Sequence, residues 1–240
     1  MNPNVVFFGP ADYGKSTIIG YMYADSIQID MDRAERELRD RLGSEYKPDY
    51  LYSSLINPEH ASQRISRFST RMNSLKRIID FTFIDTPGHD KHLDQREQGI
   101  ALGKIGVFCL AINEVLNDKY EQAMNDFTDL WFEHYENRKL ICLLTKTDLT
   151  KYSQEDYEIA REKIIRCGKR VYTTYRESAF GSCFDVDVEE DGFAAIIPVA
   201  VEFKKRQGHN IVSDSDKTPW YKGLVLIDAI RERANELANV

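Results

Sequence analysis

The sequence predicts an α/β fold built on a mostly parallel sheet with helices on both faces. Three observations carry that expectation. Short apolar runs alternate with longer amphipathic segments, as strands and crossover helices do in a parallel sheet. Most of the short runs are apolar throughout, which marks strands buried on both faces. Polar segments rich in chemically useful residues follow several runs directly, at the strand ends where open α/β sheets bind ligands. With 240 residues, 42% of them hydrophobic and 30% charged, the chain has enough apolar surface for a full core.

Taken in order, residues 5–8, 78–84, 107–112, 140–145 and 194–201 read as strands. Residues 68–72 add a further strand, joined to Ile78 through Asn73-Ser74, so the expected sheet has six. Helical patterns cover 15–23, 89–102, 120–135, 154–171 and 224–238. The stretch 30–58 departs from the alternation. "MDRAERELRDRLG" is a charged helix stopped by Gly43, and "PDYLYSSLINP" is a second short helix, together a surface insertion. Residues 173–192 read as an extended loop whose acidic end, "DVDVEED", lacks the spaced carboxylates and hinge glycine of a calcium loop.

Composition excludes several classes. No apolar run approaches the length of a membrane span, and no basic-then-apolar leader is present. The net charge of −7 argues against nonspecific nucleic-acid binding, which needs clustered positive surface. Cys109, Cys142, Cys167 and Cys183 form no close pair. The first two lie inside the apolar runs "VFCLAI" and "LICLLT", so they read as buried thiols of a cytoplasmic protein.

Four motifs carry chemistry. Between the first strand and first helix stands Gly9-Pro10-Ala11-Asp12-Tyr13-Gly14-Lys15-Ser16, followed by Thr17. Glycines five apart followed by Lys-Ser are what a phosphate loop requires. The glycines let backbone N–H groups turn inward around phosphates, Lys15 supplies a charge, the Ser16 hydroxyl ligates Mg²⁺, and the helix aims its positive end at the anion. Next, "FTFIDTPGH" places Asp85 at a strand end, where a carboxylate holds a Mg²⁺ water and the Gly88 amide reaches a γ-phosphate. Then "LICLLTKTD" ends in Thr145-Lys146-Thr147-Asp148. A carboxylate at Asp148 accepts from both N1–H and the 2-amino group of guanine, a donor pair that adenine lacks, and the Lys146 stem lies over the base. Last, "AAIIPVAV" brings a backbone N–H near Ala200-Val201 to the guanine O6. In this order, the four define a guanine-nucleotide site for GTP or GDP with Mg²⁺.

These residues resemble the G domain of translational GTPases, a branch of the P-loop NTPases, and most closely elongation factor 1-alpha, elongation factor Tu and their relatives in termination and ribosome rescue. "GPADYGKST" is similar to the family's G-H-V-D-H-G-K-S-T, "DTPGH" to its D-[AC]-P-G-H, and "TPWYKGLVLIDAI" to its P-W-[FY]-K-G approach to the last helix. The resemblance implies a single G domain over 1–240, with the first switch at 30–66 and the second at 85–103. It implies that His89 orients the attacking water and that Ser66, in "QRIS", is a switch ligand of Mg²⁺. The resemblance covers the family's G domain and not its tRNA-binding β-barrels, so no direct tRNA binding is expected of these residues. The implied partners are guanine nucleotide and either the ribosome or a protein acting in trans, with no membrane.

Departures mark a divergent member. Pro10, Ala11 and Tyr13 replace His, Val and His, Ala200 stands for Ser, and Arg64 for Gly. Thr145 replaces Asn, which removes an amide that braces the phosphate loop. The implied activity is slow, partner-activated hydrolysis of GTP to GDP and phosphate. The competing readings are a non-hydrolysing guanine-nucleotide scaffold and a GTPase subunit of a metabolic complex such as one for sulfate activation.

Overall fold

The computed structural model describes residues 3–56, 66–73, 78–134, 139–180 and 192–238. Strand β1 (Asn4–Phe8) leads through the phosphate loop into helix α1 (Lys15–Ile27). The insertion follows as α2 (Met31–Leu42), a 3-10 turn at Gly43–Glu45, and α3 (Tyr50–Ile56). Asp30 caps α2 by accepting from the Asp32 and Arg33 amides. Gly43 ends it at φ 53°, in the left-handed half of the map. The expected insertion is therefore helical to residue 56. Residues 57–65, including Arg64, lie outside the described residues.

Strands β2 (Ser66–Asn73) and β3 (Ile78–Asp85) pair antiparallel. A 3-10 turn at Asp90–His92 precedes α4 (Leu93–Leu102). Then come β4 (Ile105–Ala111), α5 (Ile112–Leu116), α6 (Glu121–His134), β5 (Leu140–Thr145), α7 (Gln154–Phe180) and β6 (Phe193–Pro198). A small hairpin of β7 (Ala200–Glu202) and β8 (Gln207–His209) precedes the final α8 (Leu226–Ala238).

The main sheet has six strands in the order β2-β3-β1-β4-β5-β6. Five are parallel, and β2 is the antiparallel edge. Period-two alternation divides its side chains between two cores. Val5, Phe7, Phe83, Val107, Cys109, Ile141, Leu143 and Ile197 face α1, α3 and α8. Val6, Phe8, Ile84, Phe108, Leu110, Cys142 and Leu144 face α4, α6 and α7. Both faces are covered, which is why these strands read as unbroken apolar runs.

Three expectations are corrected. The loop expected at 173–192 begins later, because α7 continues to Phe180 with Val171 and Tyr172 still buried on its inner face. Residues 181–191, Cys183 among them, lie outside the described residues. The strand expected at 194–201 is two. The Val199 amide donates to Leu144 O at 2.8 Å, after which the chain leaves the sheet and Ala200 begins the hairpin. The strand expected to reach residue 112 stops at Ala111, and Ile112 opens α5.

Candidate functional site

All four motifs lie at the carboxyl ends of the parallel strands. Gly9 sits at φ 133°, and a Cβ there would stand 2.4 Å from the Cys109 carbonyl oxygen, so the loop can cross β4 only as glycine. Asp12, exposed at the loop tip, and Gly14 also have positive φ, 63° and 84°. Lys15 begins α1 and is buried. Its ammonium donates to Gly9 O at 2.9 Å and Pro10 O at 2.6 Å, curling the loop around itself. Burial lowers its pKa, with the Asp85 carboxylate working in the opposite direction. Tyr13 and Thr17 are half-buried, and burial raises the Tyr13 phenol.

Ser16 Oγ donates to Asp85 Oδ2 at 2.6 Å, joining residues 69 apart in sequence. Asp85 is fully buried at the end of β3, and Thr86 locks the following turn by bonding Phe7 O through both its amide and its hydroxyl. A hydroxyl and a carboxylate so placed are the hard oxygen donors that Mg²⁺ takes, with phosphate and water completing the shell. Among the described residues no cluster of three His, Cys, Asp or Glu side chains offers a protein-only cage. Ser66 opens β2 directly across from Asp85, so the strand register brings it to the same end of the sheet.

Gly88 packs onto the phosphate loop: a Cβ there would lie 2.3 Å from the Ala11 nitrogen. Its carbonyl accepts from Arg96 Nη2 at 3.0 Å. His89 follows in extended backbone, φ −80° and ψ 141°, with its side chain exposed.

On the base side, Thr145 Oγ1 lies 3.0 Å from Tyr13 O and 3.2 Å from Leu110 O. A brace between this motif and the phosphate loop therefore persists, made by a hydroxyl where an amide was expected to be lost. Lys146 turns the chain at φ 59°. Thr147 ties the loop to Val199 O through its amide and hydroxyl. Asp148 is open to solvent on one side, and its pKa is raised by partial burial and the charge of Glu202. Ala200 and Val201 are buried in β7 beside it.

The sequence reading missed a polar network next to Asp148. Glu202 accepts from Tyr152 Oη at 2.6 Å and from Lys205 Nζ at 2.8 Å, and His209 Nε2 stands 3.3 Å away. Lys205 and Tyr152 hold its carboxyl down at about 2. Nothing local in the sequence marks this cluster, since it depends on a hairpin of three-residue strands. Arg96 was also missed, although a signal existed: it shares a helical face with the buried Gly99 and Ile100, where a charge is out of place.

A sequence profile described as the elongation factor Tu GTP binding domain matches residues 1–221. Elongation factor 1-alpha from Methanothermobacter thermautotrophicus is 25% identical over 227 residues, 95% of this chain and 47% of that protein. Its counterpart from Thermococcus gammatolerans is 26% identical over 229 residues, covering 95% and 46%. The chain thus spans about half the length of the curated relatives it matches. The S. cerevisiae Ski7 GTPase-like domain bound to GDP and inorganic phosphate shares the fold with a TM-score of 0.68 and 18% identity, over 100% of this chain and 51% of that one. The GTP-bound form gives 0.65 and 20%, over 98% and 50%. A profile match across nearly the whole chain settles the family: this chain belongs to the elongation factor Tu GTP-binding domains and is a divergent translational GTPase G domain.

Proposed function

We propose that this chain binds GTP and GDP with Mg²⁺ and hydrolyses GTP to GDP and phosphate as a slow, partner-activated switch. The observation that carries the reading is the Ser16–Asp85 contact beside the buried Lys15 ammonium, which joins the phosphate loop to the second switch. Bound phosphate oxygens replace the Gly9 and Pro10 carbonyls as acceptors for Lys15. Ser16 and Asp85, joined by Ser66 in the triphosphate state, would hold the metal, which would supply charge neutralisation to the phosphates. Asp148 accepts from the guanine edge, Lys146 covers the base, and the Ala200-Val201 backbone meets O6. His89 orients the attacking water.

Catalysis here is positioning and charge stabilisation, so turnover stays slow until a partner, the ribosome or a protein in trans, orders the switches. Buried thiols at Cys109, Cys142 and Cys167 fit a cytoplasmic location. One observation favours a second reading, a guanine-nucleotide scaffold that does not turn over: the His89 side chain is exposed.

Calorimetric titration of GDP and ADP with Mg²⁺, then single-turnover GTP hydrolysis, tests both readings. GDP should bind at least about a hundredfold more tightly than ADP, the scale of a site whose buried polar group is left unpaired by the wrong base. His89→Ala should slow hydrolysis by about a hundredfold or more. Equal binding of GDP and ADP would sink the guanine reading. Equal hydrolysis by wild type and variant would remove His89 from catalysis, and no hydrolysis by wild type would leave the scaffold.

A further inference from the structure

Arg96 is a second buried cation at this site, and none of the four motifs includes it. It is 1% exposed on the inner face of α4, and its guanidinium lies 4.1 Å over the Phe127 ring. Burying a charge is costly unless hydrogen bonds and neighbouring dipoles compensate, so an arginine where methionine or leucine would fill the space needs a use. Its Nη2 donates to the Gly88 carbonyl at 3.0 Å. The opposite side of Gly88 rests on the phosphate loop, where a Cβ would stand 2.3 Å from the Ala11 nitrogen and 2.5 Å from the Pro10 carbonyl carbon. The Gly88–His89 peptide is therefore gripped between the loop backbone and one guanidinium. Phe127 fixes the plane of that guanidinium, and a lysine ammonium has no such plane to fix.

We propose that Arg96 is the positioning residue of the second switch, holding Gly88 by its carbonyl so that the N–H of the preceding Pro87–Gly88 peptide and the His89 ring meet the terminal phosphate of a bound nucleoside triphosphate. This rests on the guanine-nucleotide reading above. A diphosphate ends short of that peptide, so the contribution of Arg96 falls on GTP and not on GDP.

The test compares wild type, Arg96→Met and Arg96→Lys in titrations of GDP and of a non-hydrolysable GTP analogue with Mg²⁺, with single-turnover GTP hydrolysis alongside. Arg96→Met should bind the analogue about tenfold more weakly, the scale of one charged hydrogen bond, while GDP binding stays within about threefold. Hydrolysis should slow by at least that factor. Arg96→Lys, which keeps the charge without the fork, should fall between the two. If Arg96→Met does not fold, the analogue-to-GDP affinity ratio of Arg96→Lys decides, and a lowered ratio supports the proposal. Parallel loss of both nucleotides, or an unchanged ratio, would make Arg96 a packing residue and overturn it. A wild type that binds neither nucleotide would instead overturn the guanine reading, and this proposal with it.

Discussion

Thr145 replaces an amide with a hydroxyl and still holds the phosphate loop, because what the joint needs is one donor within reach of Tyr13 O. A hydroxyl has a single proton, so Tyr13 O and Leu110 O share it, and the brace is weaker than an amide with two N–H donors. Thr145→Val keeps the shape and removes the donor. It should cost about 1–3 kcal/mol of stability, as carbonyls at a buried joint lose their partner, and weaken GDP binding about fivefold. Thermal melting and GDP titration of the variant check this, and unchanged GDP affinity would show that the loop does not depend on the brace. The gathering of Lys15, Asp85, Thr145 and Asp148 at the strand ends was legible in sequence because each motif packs its residues into a few consecutive positions. Arg96 and Glu202 were not, because their partners come from other segments: Arg96 meets Phe127 across two helices, and Glu202 meets Tyr152 across 50 positions.

At the level of elements, α2 raises a different question, since Leu38 is its one fully buried residue and Met31 its one partly buried core contact, so little apolar surface holds it. Ion pairs add to this hold. Arg206, at the turn of the β7–β8 hairpin, reaches Asp32 at 2.7 Å and Glu35 at 3.0 Å, while Arg39 and Tyr46 also bond Glu35. The helical insertion is thereby latched to the hairpin that begins with Ala200 and Val201, the residues proposed to meet the base. The charged helix and its stop at Gly43 were readable from local pattern, but the latch spans 171 positions and leaves no local trace. The Arg39, Tyr46 and Arg206 bonds hold the Glu35 carboxyl down at about 2, below its ordinary 4.5. A depressed carboxylate stabilises the fold above its unfolded pKa and loses that contribution as pH falls through the folded one, so the latch weakens between pH 4.5 and 2. The shift alone corresponds to about 3 kcal/mol, which solvent screening at a partly exposed site reduces to about 1. Arg206→Ala should speed amide exchange in α2 roughly fivefold at neutral pH and flatten part of the acid arm of the stability curve. Exchange unchanged in α2 would show that the latch carries no stability.

For the whole molecule, the site exists only once the sheet has formed. Ser16 opens α1 just beyond β1, Asp85 ends the neighbouring β3, and Thr145 at the end of β5 meets Tyr13 of the loop that follows β1. Fold class was legible because a sheet covered on both faces writes itself as apolar runs, which the two cores on either side of β1, β4 and β5 explain. Helix ends and the small hairpin were not legible, because tertiary bonds such as Val199 N to Leu144 O decide where strands stop. A ligand that binds only the assembled site must stabilise the entire fold. At a hundred times its dissociation constant, GDP with Mg²⁺ adds about 2.7 kcal/mol, and for a chain of this length each kcal/mol moves the midpoint by about 2–4 °C. GDP with Mg²⁺ should therefore raise the melting temperature by about 5–10 °C, and ADP at equal concentration by far less. Adding a chelator should remove much of the GDP effect, because Ser16 and Asp85 need phosphate oxygens to complete a metal shell. The same chelator without nucleotide should leave melting unchanged, since the described residues offer no protein-only cage. An equal rise with ADP would break the link between Asp148 and guanine. Destabilisation by chelator alone would instead reveal a structural metal and move Ser16 and Asp85 out of a purely nucleotide-dependent role.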